Sequence, residues 1–201
     1  QALFEKCFKV LNGPDAPDVS VIELDKELIL AISNRPTSNN YNEQYLELDP
    51  FIISPPGETY DAYFRFEGYQ VFQVKDATVT VADVHDPDKA RIIAQCDVEN
   101  YDSLGNPIAQ LVNFEFSDDL SANIPTEEVN GENKGIRHTF QILNDEFATG
   151  DRSLVNHKKY YFIVIAYAYN NYKKYDQSDP LQLDGQKKPY KAGRKSVTGA
   201  I

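Results

Sequence analysis

Leu154-Val155-Asn156-His157-Lys158-Lys159-Tyr160-Tyr161-Phe162-Ile163-Val164-Ile165-Ala166-Tyr167 is the longest apolar, β-branched and aromatic run of the chain. Such a composition predicts a central strand from Tyr160 onward. Side chains alternate along a strand, so Tyr160, Phe162, Val164 and Ala166 share one face and Tyr161, Ile163, Ile165 and Tyr167 the other. Leu154 precedes Tyr160 by six residues, with a polar turn of Asn156, His157 and Lys158 between them. A sheet with one face in water would show polar residues on that face. Here both faces are apolar. The second face is therefore expected to be covered, by the two long insertions of the chain (33–62 and 100–156) in preference to a partner, because large exposed apolar patches are uncommon.

The rest of the chain supplies companions for that strand. Val19, Val21 and Leu24 predict a first strand. After a turn at Asp25-Lys26-Glu27, Leu28, Leu30 and Ile32 share a face opposite Ile29 and Ala31. Phe64 to Val74 is a second strong strand, with Gly68 and Tyr69 inside it. Further strands are expected over Thr78–Val84, Ala90–Val98, Leu111–Phe116 and Thr139–Leu143, with a last one at Leu181–Leu183. Residues 33–62 are long, polar and broken by Pro50, Pro55, Pro56 and Gly57, with one helical turn expected over Glu43–Leu48. Residues 100–156 form a second long insertion, read as a polar loop from Ser117 to Gly135. Ordinary connections take ~4–6 residues, so both segments are elaborations of the kind that carry binding surfaces. The division expected is 1–12 as a connection from a preceding module, 13–184 as the folded unit and 185–201 as a basic linker.

At 201 residues and 41% hydrophobic content, one large β-domain can bury a real core. No Met is present, which suggests a processed chain or a segment of a longer one. A net charge of -11 weighs against a nucleic-acid partner, which needs clustered Lys and Arg, so none is expected. No apolar run approaches the ~20 residues of a spanning helix, so no direct membrane insertion is expected. Cys7 and Cys96 are the two cysteines. They allow one bridge, in an oxidising compartment, or two buried free thiols; the spacing leaves both open.

Chemistry is sparse. The three histidines, His85, His138 and His157, lie in no nucleophile motif, and no Cys-x-x-Cys, His-Glu-x-x-His or phosphate-cradling glycine loop occurs. The expectation is a protein that is not an enzyme. The one candidate metal site is Asp83, Asp86 and Asp88, three hard oxygen donors around Pro87 that could take calcium. The competing reading is a solvated turn whose carboxylates bond to the local backbone. Glu43, Glu47 and Asp49 are a second acidic group, read as a wet face. Tyr169, Tyr172 and Tyr175 are the aromatic row available to a saccharide.

Leu154, Tyr160, Phe162 and Val164 resemble the start of strand F in immunoglobulin-like and fibronectin type III sandwiches, where a corner tyrosine bonds back to the turn backbone. Gly68-Tyr69-x-Val71 is similar to strand C of the fibronectin type III family, and Leu28, Leu30 and Ile32 resemble its strand B, with Ile32 where that family usually has a core Trp. The phrases Asn12-Gly13-Pro14-Asp15-Ala16-Pro17, Phe66-Glu67-Gly68-Tyr69 and Lys159-Tyr160-Tyr161-Phe162 look like modules of very large secreted proteins of Bacteroidota. These resemblances imply an all-β, antiparallel, immunoglobulin-like sandwich with two long insertions, exported by type IX secretion to the cell surface. They imply structural roles for Leu154, Tyr160, Phe162, Val164, Gly68 and Tyr69, and partners among neighbouring modules or other surface proteins. The function expected is packing, spacing or adhesion, with an accessory carbohydrate- or calcium-binding module as the alternative.

Overall fold

The computed structural model describes residues 11–53, 57, 60–102, 104–193 and the strand at 196–200. Among them the regular structure is strand and short 3₁₀ turns, in antiparallel sheets. Strands β1 (Asp18–Leu24), β2 (Glu27–Ser33) and β8 (Thr139–Ile142) form one sheet in the order β1-β2-β8. A second sheet is built on β4 (Tyr63–Val74) and β9 (Tyr160–Asn170), paired along most of their lengths. Along the far edge of β4 lie β3 (Leu46–Leu48) and β5 (Ala90–Asp97); along the far edge of β9 lie β10 (Tyr190–Ala192) and β11 (Ser196–Ala200). Strands β6 (Gln110–Ser117) and β7 (Ala122–Asn130) make a separate hairpin.

The two main sheets meet over one core. Leu28, Leu30 and Ile32 of β2 and Phe140 and Ile142 of β8 are buried against Tyr160, Phe162, Val164, Ala166 and Ala168 of β9. Strand β4 supplies Phe64, Phe66, Tyr69 and Val71 to the same core. Those numbers change parity, which a regular strand forbids. The cause is a bulge: Phe66 pairs with Ala168 and Gly68 with Tyr167, leaving Glu67 as the extra residue. At Gly68 a Cβ would stand 2.1 Å from the Cys96 carbonyl oxygen and 2.6 Å from the Tyr167 hydroxyl, so only glycine fits.

The turn before β9 is held by its own tyrosine. The Val155 N–H donates to the Tyr160 hydroxyl at 2.8 Å, while Leu154 is buried beneath. Asn156 ties this corner to the β1–β2 turn, donating to Asp25 and accepting from the Lys26 N–H.

The second face of β9 is covered, by two parts of the chain. Ile163 and Ile165 pack with Phe72, Val74, Val79, Val84 and Ala90, and Tyr167 packs with Leu111, Val129 and Tyr190. The first cover is segment 75–89, which lies outside both insertions expected to supply it; within it Thr78–Val84, expected as a strand, is found as turns around a 3₁₀ turn at Val81–Asp83. Asp76 accepts from the Thr78 N–H, and Asp83 from the Thr80 N–H, which bends the backbone away from a ladder. The second cover is the β6–β7 hairpin, whose second strand falls where a polar loop was expected. Pro125 sits in β7, a strand with no second neighbour among the described residues, where its missing N–H is tolerated.

Two other expected elements are corrected. Glu43–Leu48 is not a helical turn: the 3₁₀ turn lies at Tyr41–Glu43 and is followed by β3. Leu181–Leu183 lies in turns, and the strands beside β9 come later, within the stretch 185–201 expected as linker. Of the expected N-terminal connection, residues 1–10 lie outside the described residues; Leu11 packs against the core.

Candidate functional site

Gln70 of β4 and Gln95 of β5 are directly paired across the two strands. Their side-chain amides therefore stand side by side on the outer face of the sheet. Gln70 donates to the carbonyl of Glu128 at 2.8 Å and Gln95 to the carbonyl of Asn130. Those carbonyls are two residues apart on β7 and so point the same way. The paired glutamines thus substitute for a strand ladder and hold β7 over the sheet. Gln70 is buried, and its own oxygen accepts from the Tyr190 hydroxyl at 3.0 Å. Asn113 of β6 adds a two-way bond to the Tyr190 backbone, accepting from its N–H and donating to its carbonyl.

Beyond the glutamine clamp the hairpin and sheet diverge into a groove of about 750 Å³. Its volume is in the range of ligand-binding clefts. Phe72, Val84, Ala90 and Ala94 give it an apolar lining, and Ile92 is half exposed along it. Polar groups rim it. Glu128 lies 3.4 Å from the His85 Nε2 and accepts from Asn113. Burial pushes the Glu128 carboxyl above its ordinary range, against the opposing effects of His85 and Asn113. Glu127 accepts from the amides of Gln110 and Asn130. At the other end Arg91 donates to the carbonyls of Glu146 and Pro87 and lies over the Phe147 ring. Glu146 in turn pairs with Arg152.

Two further polar constellations lie elsewhere. Glu43 accepts from the Tyr69 hydroxyl at 3.2 Å and lies 2.6 Å from the His138 Nε2, while Asn34 donates to Tyr69 at 2.6 Å. Asn42 and Glu43 both have positive φ, so this link is held by an unusual backbone. A small pocket of about 380 Å³ opens beside it. At the β4 bulge, Glu67 is buried, and one Asn100 amide nitrogen donates to both its oxygens. Burial, opposed by Asn100 and reinforced by the charge of Asp97, pushes the Glu67 carboxyl up to about 8.

The residues singled out from sequence are placed as follows. Asp83, Asp86 and Asp88 do not converge as a calcium cage. The Lys89 ammonium lies 2.6 Å from Asp83 and 3.7 Å from Asp86, Asp83 also accepts from Thr80, and Asp86 accepts from the Asp88 N–H. Among the described residues no three His, Cys, Asp or Glu side chains group as metal ligands. This is the turn with local bonds, in which a lysine supplies the positive charge. Glu43, Glu47 and Asp49 are also separated: Glu47 accepts from Tyr45, and buried Asp49 from the Phe51 N–H and Gln186. Tyr172 and Tyr175 are buried, edge-on to Tyr60 and Phe114, and Tyr169 is partly buried, so the tyrosine row is not an exposed stacking platform. Cys96 is a buried free thiol 3.5 Å from the Arg137 carbonyl, and Cys7 lies outside the described residues. His157 is an exposed corner residue with positive φ.

The groove residues Gln70, Gln95, Glu127 and Glu128 carried no signal of their own in the sequence. What brings them together is the β6–β7 hairpin, and β7 is too polar to be read as a strand. No helix among the described residues is long and apolar enough to cross a membrane. Compared with known family models, curated proteins and solved structures, the chain finds no match.

Proposed function

We propose that the chain is an immunoglobulin-like sandwich related to fibronectin type III, acting as a non-catalytic interaction module of a larger secreted cell-surface protein. The strand order β1-β2-β8 opposite β5-β4-β9-β10 supports the fold reading, as does the Val155 bond to the Tyr160 corner hydroxyl. The observation that carries the functional reading is the glutamine clamp. It fixes an inserted hairpin over a sheet whose central strands are buried on both faces, and so presents a groove on a stiff base. Neighbouring modules of the same polypeptide or other surface proteins are its partners, in packing, spacing or adhesion. Type IX export in Bacteroidota is the setting its sequence resemblances suggest.

Fractionation of the native cell tests this. An antibody to this chain is expected to detect a polypeptide much larger than 22.8 kDa in the outer-membrane or extracellular fraction. A species of about that mass confined to the cell interior would overturn the proposal.

A further inference from the structure

The β6–β7 hairpin leaves the main sheet and returns to it over two buried acids. Glu67, the extra residue of the β4 bulge, and Asp97, at the end of β5, are 3% and 2% exposed. The outgoing chain is held by Glu67, since the Asn100 amide donates to both its oxygens at 2.8 and 2.9 Å. The returning chain is held by Asp97, whose two oxygens accept from the Asn133 N–H at 3.0 Å. Gly131 lies so close to the Asp97 carboxylate that no Cβ fits there. The two limbs are also joined to each other. The Asn100 N–H donates to the Asn133 side chain at 2.9 Å, and the Gly131 N–H to the Ala109 carbonyl at 2.7 Å. These residues are the root of the hairpin.

What faces the two acids is itself acidic or neutral. Asp97 acts on Glu67 from β5, with the Cys96 thiol beside it, and Tyr167 and Tyr169 face Glu67 from β9. Asp102, on the outgoing limb, acts on Tyr169. The charges of the returning limb are turned elsewhere: Glu132 pairs with Lys134, and Arg137 donates to the Gln95 carbonyl. Two neighbouring buried carboxylates without a cation cannot both ionise cheaply, so a proton takes the place of a countercharge. The Asn100 Oδ1 is buried without a hydrogen-bond partner. A neutral Glu67 carries the O–H donor that this oxygen lacks. A turn of the Asn100 amide joins the two while its nitrogen keeps the second Glu67 oxygen.

We propose that the Glu67 proton is the latch of this root. With the proton bound, Asn100, Gly131 and Asn133 stay closed over the two acids. Without it, the root opens and hydrates them, while β4 and β9 stay paired beneath. Burial raises the Glu67 carboxyl from 4.5 to about 8 in the closed root, and opening returns it towards the ordinary value. The closed root therefore holds the proton more tightly than the open one. Its stability is complete below 4.5 and is lost as pH rises to about 8. The opening constant should rise by up to about tenfold per pH unit across that window and level off above it. Because the hairpin walls the groove, pH in this range sets how firmly that wall is held.

Hydrogen exchange of the intact chain between about pH 5 and 8 tests this, with each rate corrected for the intrinsic pH dependence of exchange. Protection of the Gly131 and Asn133 amides is expected to fall by up to about tenfold per pH unit, and at the upper end to lie well below that of the β9 amides. Glu67→Gln should keep root protection level across the range. Equal protection of root and β9 at the upper end would overturn the proposal, as would an unchanged pH dependence in Glu67→Gln. A further readout needs no variant: the side-chain carboxyl carbon of Glu67, followed by NMR, should titrate at about 8. A midpoint near 4.5 would overturn the latch even if Glu67→Gln does not fold.

Discussion

Tyr160 places a hydroxyl where a turn needs an acceptor. Its ring is buried, its oxygen takes the Val155 N–H at 2.8 Å, and the Lys158 ammonium lies 5.3 Å from the ring centroid. Tyr160→Phe keeps the ring and removes the acceptor, so a loss of ~1–2 kcal/mol is expected in urea unfolding followed by circular dichroism. An unchanged midpoint would mean that water replaces the hydroxyl. Glu67 makes the opposite case, a buried carboxyl that is better neutral. Its carboxyl is raised in the folded state to about 8 by burial, against an ordinary value of 4.5. The folded state therefore holds the proton more tightly than the unfolded one. The resulting stability is complete below the unfolded value and is lost as pH rises through about 8. Stability should fall by a few kcal/mol between pH 5 and 8, and Glu67→Gln should flatten most of that slope. Parallel slopes in the two proteins would assign the pH dependence to other groups. The sequence marked Gly68 and Tyr69 but passed over Glu67, because a bulge shows only as a parity change that needs the partner strand to be seen.

Elements were legible where apolar residues dominate. Strands β2, β4 and β9 fall close to their expected places, because Leu28, Phe64 and Tyr160 each open a dense apolar run that has nowhere to go but a core. Strands β3 and β7 were not legible. Leu46 and Leu48 of β3 are half exposed, and β7 buries little beyond Val129. Its place is set by amides from β4 and β5, far away in sequence. The two glutamines of that clamp should not be equivalent. Gln70→Leu leaves a β7 carbonyl and the Tyr190 hydroxyl without their partner in a buried setting, at an expected cost of ~2–3 kcal/mol. Gln95→Leu, at the more open rim, should cost less than ~1 kcal/mol. Unfolding curves of the two variants check the order, and equal losses would remove the buried amide as the anchor of the hairpin.

At the scale of the molecule, the sequence foretold an all-β chain with a central strand covered on both faces, and Ile163, Ile165 and Tyr167 are indeed covered. It could not place the groove, whose parts come from segments near 70, 85–95 and 127–130, since strand pairing at that distance leaves no local pattern. The same arrangement implies a gradient of stability across the fold. Strands β4 and β9 pair with each other and lie under two covers, so their amides should exchange with solvent only when the whole protein unfolds. The β6–β7 hairpin rests on Leu111, Val129, Asn113, the glutamine clamp and the ties of Phe114 and Asn123 to Lys187 and Tyr175, and shares little core with the two main sheets. It should open as a unit while β4 and β9 stay closed, with exchange faster than that of β9 and a weaker dependence on denaturant. Gln70→Leu should widen that gap by speeding the hairpin alone. If hairpin and β9 amides exchange together in the native protein, the hairpin belongs to the same cooperative unit as the core, and the groove it walls is as stiff as the sheet beneath it.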